Sequence, residues 1–358
     1  MLDNVADLLL MVGLLVGVFQ FPQAFALNYM VPGTAIGVLV GDLLFFIMAF
    51  RTAKRIGRSD VTAMPLGLDT PSTFGMVFFV LGPAFVAAKA SGMSPDEAAK
   101  HTWHIGICSI FLSGIFKCGC AVVSPWVRKV TPRAGLLGSL VAIALVLISF
   151  MPSLEVLQSP IVGMVALAIV LTTLVARIPL PFHIPGALAS LLIAGGLYYL
   201  MAFFHFVELQ PAPTAAGVPT GWLEVFQFGW LSAMGEALMY LPVVIPFALA
   251  TAIGGIDCTE SAAAAGDEFE TGKVIGVEAF ATLVASVCGG VIQTTPYIGH
   301  PAYKAMGGRA AYTLATAIFI GVVGLTGLFE HFYFWIPKPA VFPILIFIGL
   351  EITAQSFR

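Results

Sequence analysis

The 358 residues are 59% hydrophobic and only 10% charged, with a mean hydropathy of +0.99 and a formal net charge of −3. A soluble globular domain carries about 25% charged residues, so the composition describes an integral membrane protein, and the slight acidity excludes a nucleic-acid partner. The five cysteines (108, 118, 120, 258 and 288) lie in apolar runs, and Cys118-x-Cys120 lacks metal-ligand spacing. They read as packing residues, and no metal or other cofactor is expected.

Apolar runs near 20 residues argue for helices rather than a barrel. In chain order the hydrophobic segments fall at 5–20, 33–50, 70–90, 103–123, 134–151, 159–176, 183–204, 237–262, 274–291, 298–306 (short), 310–329 and 335–354. The first opens with Asp3 and Asp7 and has no basic flank or cleavage signature, so no removable signal peptide is read. If the N-terminus is cytoplasmic and every segment crosses, Arg51, Lys54, Arg55, Arg58, Arg128, Lys129, Arg133, Arg177, Lys273, Lys304, Arg309 and Arg358 fall inside. Lys100, Lys89 and Lys338 fall outside, and the outer loop His205–Gln227 has no basic residue, as the positive-inside rule requires. A bacterial inner membrane is the expected location. Lys117, within the fourth segment, is expected to snorkel to the cytoplasmic face.

Pro211–Gly221 is the best internal boundary. Thr70-Pro71, shortly before Gly75, resembles Thr295-Pro296, shortly before Gly299, and each opens a membranous segment. Seven segments precede the boundary, so a second copy starts on the opposite side, and paired interrupted segments are the expected sign of a binding site. Seven further segments would be needed, whereas five are present. The reading is therefore of two helices missing at the end, against a true twelve-segment protein.

The stretch Ala250–Arg309 holds the chemistry. Asp257 and Glu260 end an apolar run one helical turn apart, so both carboxylates share a face. Gln293-Thr294-Thr295-Pro296-Tyr297-Ile298-Gly299-His300-Pro301 is polar and proline-broken where a spanning helix would continue. Ionisable groups at membrane depth mark substrate or ion sites, and irregular backbone there lines a cavity or is buried in protein.

Asp257–Arg309 resembles the nucleobase:cation symporters (the xanthine/uracil permease superfamily), especially their adenine/guanine/hypoxanthine permease branch. The resemblance rests on Asp257-Cys258-Thr259-Glu260-Ser261, on Thr295, Tyr297 and Gly307-Gly308-Arg309, and more faintly on Met64-Pro65-Leu66-Gly67-Leu68. It implies an all-α membrane protein with a seven-plus-seven inverted repeat and two short strands at half-helix starts (about Met64–Asp69 and Val291–Pro296), which pair at the midplane. It also implies a core domain (1–132 and 229–330), a gate domain (133–210 and 331–358) and an extracytoplasmic loop (211–228). One departure is Gly299, where the family has a carboxylate; the sulfate permease relatives favour a basic residue there.

Site residues follow on both grounds. Glu260 is either the substrate-binding carboxylate or the proton carrier, with a helix-terminal acid at the cytoplasmic surface as the alternative. Asp257 is the deeper of the pair. Asp69 and Thr70 cap the half-helix or bind an ion or substrate. Gln293, Thr295, Tyr297 and His300 line the second broken segment, and Asp42 is a further ion-pathway acid. The expected function is a non-enzymatic secondary transporter of a nucleobase-like planar solute, coupled to H+ or Na+, in a lipid bilayer, with a homodimer compatible. An anion permease of sulfate or bicarbonate type is the alternative, and a channel or intramembrane enzyme a distant one.

Overall fold

The computed structural model describes residues 2–130, 144–181, 184–207, 209, 217–297, 299–305 and 307–356. The start of the expected fifth segment with Arg133, much of the loop from Pro211, Ile298 and Arg358 lie outside the described residues.

The elements in order are α1 (Leu2–Phe19), α2 (Gln23–Ile56), β1 (Leu66–Leu68), α3 (Thr70–Ala90) and α4 (Pro95–Val130). Next come α5 (Met151–Gln158, continuing a π-helical Ala144–Phe150), α6 (Pro160–Val175), α7 (Gly186–Phe203) and α8 (Leu241–Ala264). Then follow α9 (Thr271–Val287), β2 (Thr294–Pro296), α10 (His300–Ala305), α11 (Tyr312–Leu325), α12 (Leu328–Trp335) and α13 (Lys338–Ser356). Among the described residues, five helices are long and apolar enough to cross a bilayer, or six if α11 and α12 form one bent span. That pair breaks by 92° at Gly327, whose φ of +79° is left-handed and natural to glycine. The expected eleventh segment is therefore two helices.

Packing falls into two groups. In the first, α4 lies along α9, α2 lies along α11, and α2 crosses α9. Exchanging second with ninth and fourth with eleventh maps this set of contacts onto itself, as an inverted repeat demands. The α2–α9 crossing is close because Gly33, Gly37 and Gly41 form one stripe. A Cβ on Gly33 would lie 2.2 Å from the Cys288 carbonyl oxygen, and one on Gly37 2.5 Å from the Ala285 Cβ. Lipid tails give helices no hydrophobic reason to associate, so backbone proximity at small residues supplies the attraction. In the second group α5, α6 and α7 pack on α13 around Val162, Ala166, Ala194, Tyr198 and Ala340.

Polar contacts fix which ends share a side. Arg58, after α2, donates to the Gly266 carbonyl after α8, and Arg128 at the end of α4 pairs with Glu260 near the end of α8. On the opposite side Lys100 at the start of α4 pairs with Glu224 before α8, and the Asn28 side chain accepts from the Gly221 N–H. This is the alternation that full crossings require.

The strands pair antiparallel in the register Leu66↔Pro296, Gly67↔Thr295 and Leu68↔Thr294. Each is shorter than expected, although Tyr297 N–H to Pro65 O (2.9 Å) and Asp69 N–H to Gln293 O (3.2 Å) extend the ladder. The Thr-Pro match does not superpose the repeats: Thr70-Pro71 opens α3 after its strand, whereas Thr295-Pro296 lies inside β2. The two interrupted segments correspond; the residue-by-residue match between them does not.

Candidate functional site

A two-stranded ladder inside a bilayer leaves two edges of unpaired N–H and C=O groups, each costing several kcal/mol if unsatisfied. The structure answers with side chains from surrounding helices. Along β1, Asp42 Oδ1 accepts from Leu66 N–H at 3.1 Å, Asn4 Oδ1 accepts from Leu68 N–H at 3.0 Å, and Tyr297 Oη donates to Leu68 O at 3.1 Å. Along β2, Thr282 Oγ1 accepts from Thr294 N–H at 3.2 Å, Lys117 Nζ donates to Thr294 O at 2.9 Å, and the Cys258 thiol donates to Pro296 O at 3.2 Å. The crossing is thereby gripped by α1, α2, α4, α8 and α9.

Several expected residues meet here. Asp69 caps α3, its Oδ2 accepting from Ser72 N–H at 2.8 Å, so capping describes its geometry. Thr70 donates to Asp7 Oδ1 at 2.8 Å, and the Tyr297 hydroxyl lies 3.3 Å from Asp7 Oδ2. The Tyr297 ring lies against Gly67, where a Cβ would come within 2.3 Å of it. Gln293 accepts from the Ser113 hydroxyl at 2.7 Å. Thr295, at the centre of β2, is 7% exposed, and Asp257, on α8 beside Cys258, is 6% exposed.

Other expectations are corrected. Glu260 lies away from the crossing. It pairs with Arg128 and faces a cavity lined by Pro125, Lys129, Glu270 and Thr271 at the end of α4, the position of the helix-terminal alternative. A 100° step per residue leaves positions three apart about 60° out of line, enough to send one inward and the other to Arg128. His300 is fully buried but turned from the strands, its Nε2 3.1 Å from Asp267 Oδ2. Asp267 also accepts from Lys304 at 2.6 Å and from Thr62 N–H at 3.1 Å. This latch ties the loop before β1 to the loop after α8 and to α10. Outside it, hydrogen bonding to Arg58 holds the Asp60 carboxyl down at about 2. Asp42 supports β1 from the side away from α8 and lines a cavity of about 180 Å³ with Asp3, Asn4, Tyr297, Tyr303 and Tyr312. At Gly299, a Cβ would sit 2.9 Å from the Tyr303 ring, so the tyrosine occupies the space a side chain would need.

The largest correction concerns Lys117. It does not snorkel: it has no exposed area, and its ammonium lies 2.8 Å from Glu278 Oε1, also fully buried. A lysine reaches the interface only when its stem points along an open surface, and here α9 lies along that face of α4. Sequence reasoning passed over Glu278, Asn4, Asp7, Ser113 and Thr282. Opposite charges in the middle of two apolar runs were the signal for the first. Asp7 was legible in the same way, but was used only as evidence against a signal peptide.

Neither a scan of protein-family models nor a search of curated proteins finds a match. Among solved structures, the transmembrane domain of a cyanobacterium bicarbonate transporter, BicA, aligns with 90% of this chain and 89% of its own length, with a TM-score of 0.59 and 14% identity. The overall structure of SLC26A9 aligns over 99% of this chain and 57% of its own, with a TM-score of 0.60 and 11% identity. At such identities the likeness shows the fold. That fold is a mostly helical membrane-protein fold of the seven-plus-seven inverted-repeat kind, with two broken segments and a short pair of strands between them.

Proposed function

We propose that this chain is a secondary transporter of a small inorganic oxyanion of the bicarbonate or sulfate class, bound where the strands cross between α3, α8 and β2. The observation that carries the reading is Lys117. The fold puts its fully buried ammonium 2.9 Å from the Thr294 carbonyl, at the crossing itself. A buried lysine is a compact point charge suited to anions. Its likeness in fold to a bicarbonate transporter supports the same side. The nucleobase reading loses support at Gly299, where the Tyr303 ring stands in the space of the carboxylate that would accept a base's N–H groups.

In this reading α1–α4 with α8–α11 form the core that carries the site, and α5–α7 with α13 form the gate against which it moves. The N-terminus is cytoplasmic. The purified chain should be stabilised by bicarbonate or sulfate in a thermal-shift screen and not by adenine, guanine, xanthine or uracil. Ligand at 100 times its Kd adds about 2.7 kcal/mol, a shift well above noise. A nucleobase response without an anion response would replace this reading by the permease one.

A further inference from the structure

We infer that Glu278, paired with Lys117, is the proton-coupling group: an anion at the crossing takes over the Lys117 ammonium, and Glu278 takes up a proton in the same step. The inference rests on the anion reading above and names its coupling ion and carrier.

The geometry is specific. Lys117 has three N–H donors. Thr294 O takes one at 2.9 Å and Glu278 Oε1 another at 2.8 Å, with no further acceptor among the described residues. Both side chains are 0% exposed. The groups facing Glu278 are nearly all acidic or neutral. From α4 come Lys117 and Cys120. From α3 comes Asp69, and from α8 come Cys258 and the Thr251 hydroxyl, which hydrogen-bonds the Glu278 side chain. The neighbouring surface of α2 is glycine, with Gly41 against Ala281. β2 contributes the Thr294 hydroxyl, which donates to the Glu278 backbone carbonyl at 3.3 Å and leaves the carboxylate alone. One ammonium thus stands near two buried carboxylates, Glu278 and Asp69.

Asp69 is committed to the Ser72 N–H. Glu278 instead reaches toward α8, where a Cβ on Gly255 would come within 2.7 Å of its Oε2. It is therefore the carboxylate whose partner an anion can take. Burying a further negative charge beside an unpaired carboxylate is costly, and protonation removes that charge. Bicarbonate and one proton then cross together with no net charge moved, sulfate and one proton with a single negative charge, and the ion pair re-forms when both leave.

The test uses the purified full chain and infrared difference spectroscopy. Sulfate and bicarbonate are the probes, added at a pH held near neutral, with binding read in parallel by thermal shift. The expected result is a protonated-carboxyl band that grows on anion addition, is absent in Glu278→Gln and is retained, displaced, in Glu278→Asp. In proteoliposomes, Glu278→Gln should keep labelled sulfate exchange while losing at least tenfold in accumulation driven by an imposed proton gradient. Anion binding with no carboxyl band, or a band that persists in Glu278→Gln, overturns the inference and leaves the anion reading standing. Gradient-driven accumulation by Glu278→Gln at the wild-type level overturns it as well. Absence of binding by either anion defeats the anion reading itself. If Glu278→Gln fails to fold, Glu278→Asp carries the decision: an unchanged band position in that variant overturns the assignment.

Discussion

Lys117 shows how far a single residue's role depends on what packs against it. In the sequence it is one lysine near the end of an apolar run. In the fold it holds a β-strand and neutralises a fully buried glutamate. Breaking such a buried pair from one side costs about 3–5 kcal/mol, because the other charge is left uncompensated, whereas removing both is far milder. Lys117→Met should therefore destabilise strongly, and Lys117→Met with Glu278→Gln should recover much of the loss. Thermal unfolding in detergent, read as a double-mutant cycle, checks this. Additive effects would mean that the two groups do not interact. Neither variant should regain anion binding, since the ammonium is gone from both.

The elements are held by small residues and by one polar latch. On α8, Gly254 and Gly255 are neighbours in sequence with opposite surroundings. A Cβ on Gly254 meets nothing within 4 Å, while one on Gly255 would come within 2.5 Å of Ile275 and 2.7 Å of Glu278. Gly254→Ala should be neutral or stabilising by up to about 1 kcal/mol. Gly255→Ala should lower the melting temperature and disturb transport, and similar behaviour of the two would argue against the α8–α9 packing described. The latch at Asp267 is the second device. Asp267→Asn removes the charge opposite Lys304 and His300, so melting should fall by several degrees and α10 should become more accessible in hydrogen exchange.

At the latch rim the pH dependence has a definite sign. The Asp60 carboxyl is held below its ordinary value of 3.8, at about 2. Its pairing with Arg58 therefore contributes at pH above 3.8 and is lost as pH falls from there through about 2. An acid titration of Arg58→Gln should lack that component, and an unchanged acid limb would show the pair to be inert.

On the scale of the whole molecule, the two helix groups meet where α1 lies against α13: a Cβ on Gly13 would lie 3.0 Å from the Lys338 Nζ. If transport moves the first group against the second, a short thiol cross-linker between Gly13→Cys and Lys338→Cys should stop uptake, and its cleavage should restore it. Full uptake in the cross-linked protein would exclude relative motion at this seam. In the proposed division Arg58, Asp267, His300 and Lys304 all fall in the core of α1–α4 with α8–α11, so the latch should travel with the moving body as one piece.

Much of the architecture was legible from hydropathy and charge alone. Spans near 20 residues, basic residues on alternate loops and two proline-broken segments in corresponding places all follow from the solvent being a bilayer, which acts on every residue locally. The start of α3 at Thr70 was within reach for that reason, whereas the pairing of the two broken segments was an implication of the family resemblance. The site was only partly legible. Tyr297, Thr70, Asp69, Gln293 and Thr295 gather at the crossing, because ionisable and hydroxyl side chains on broken backbone are costly unless that backbone needs them. Glu260 and His300 turn elsewhere, since a rotation of about 60° about a helix axis is invisible without the partners that select it: Arg128 for one and Asp267 for the other. Lys117 and Glu278 could be seen as charges in membrane segments but not as a pair. They lie 161 positions apart, and only the packing of α4 along α9 brings an ammonium and a carboxylate to 2.8 Å under the strand that the ammonium also holds.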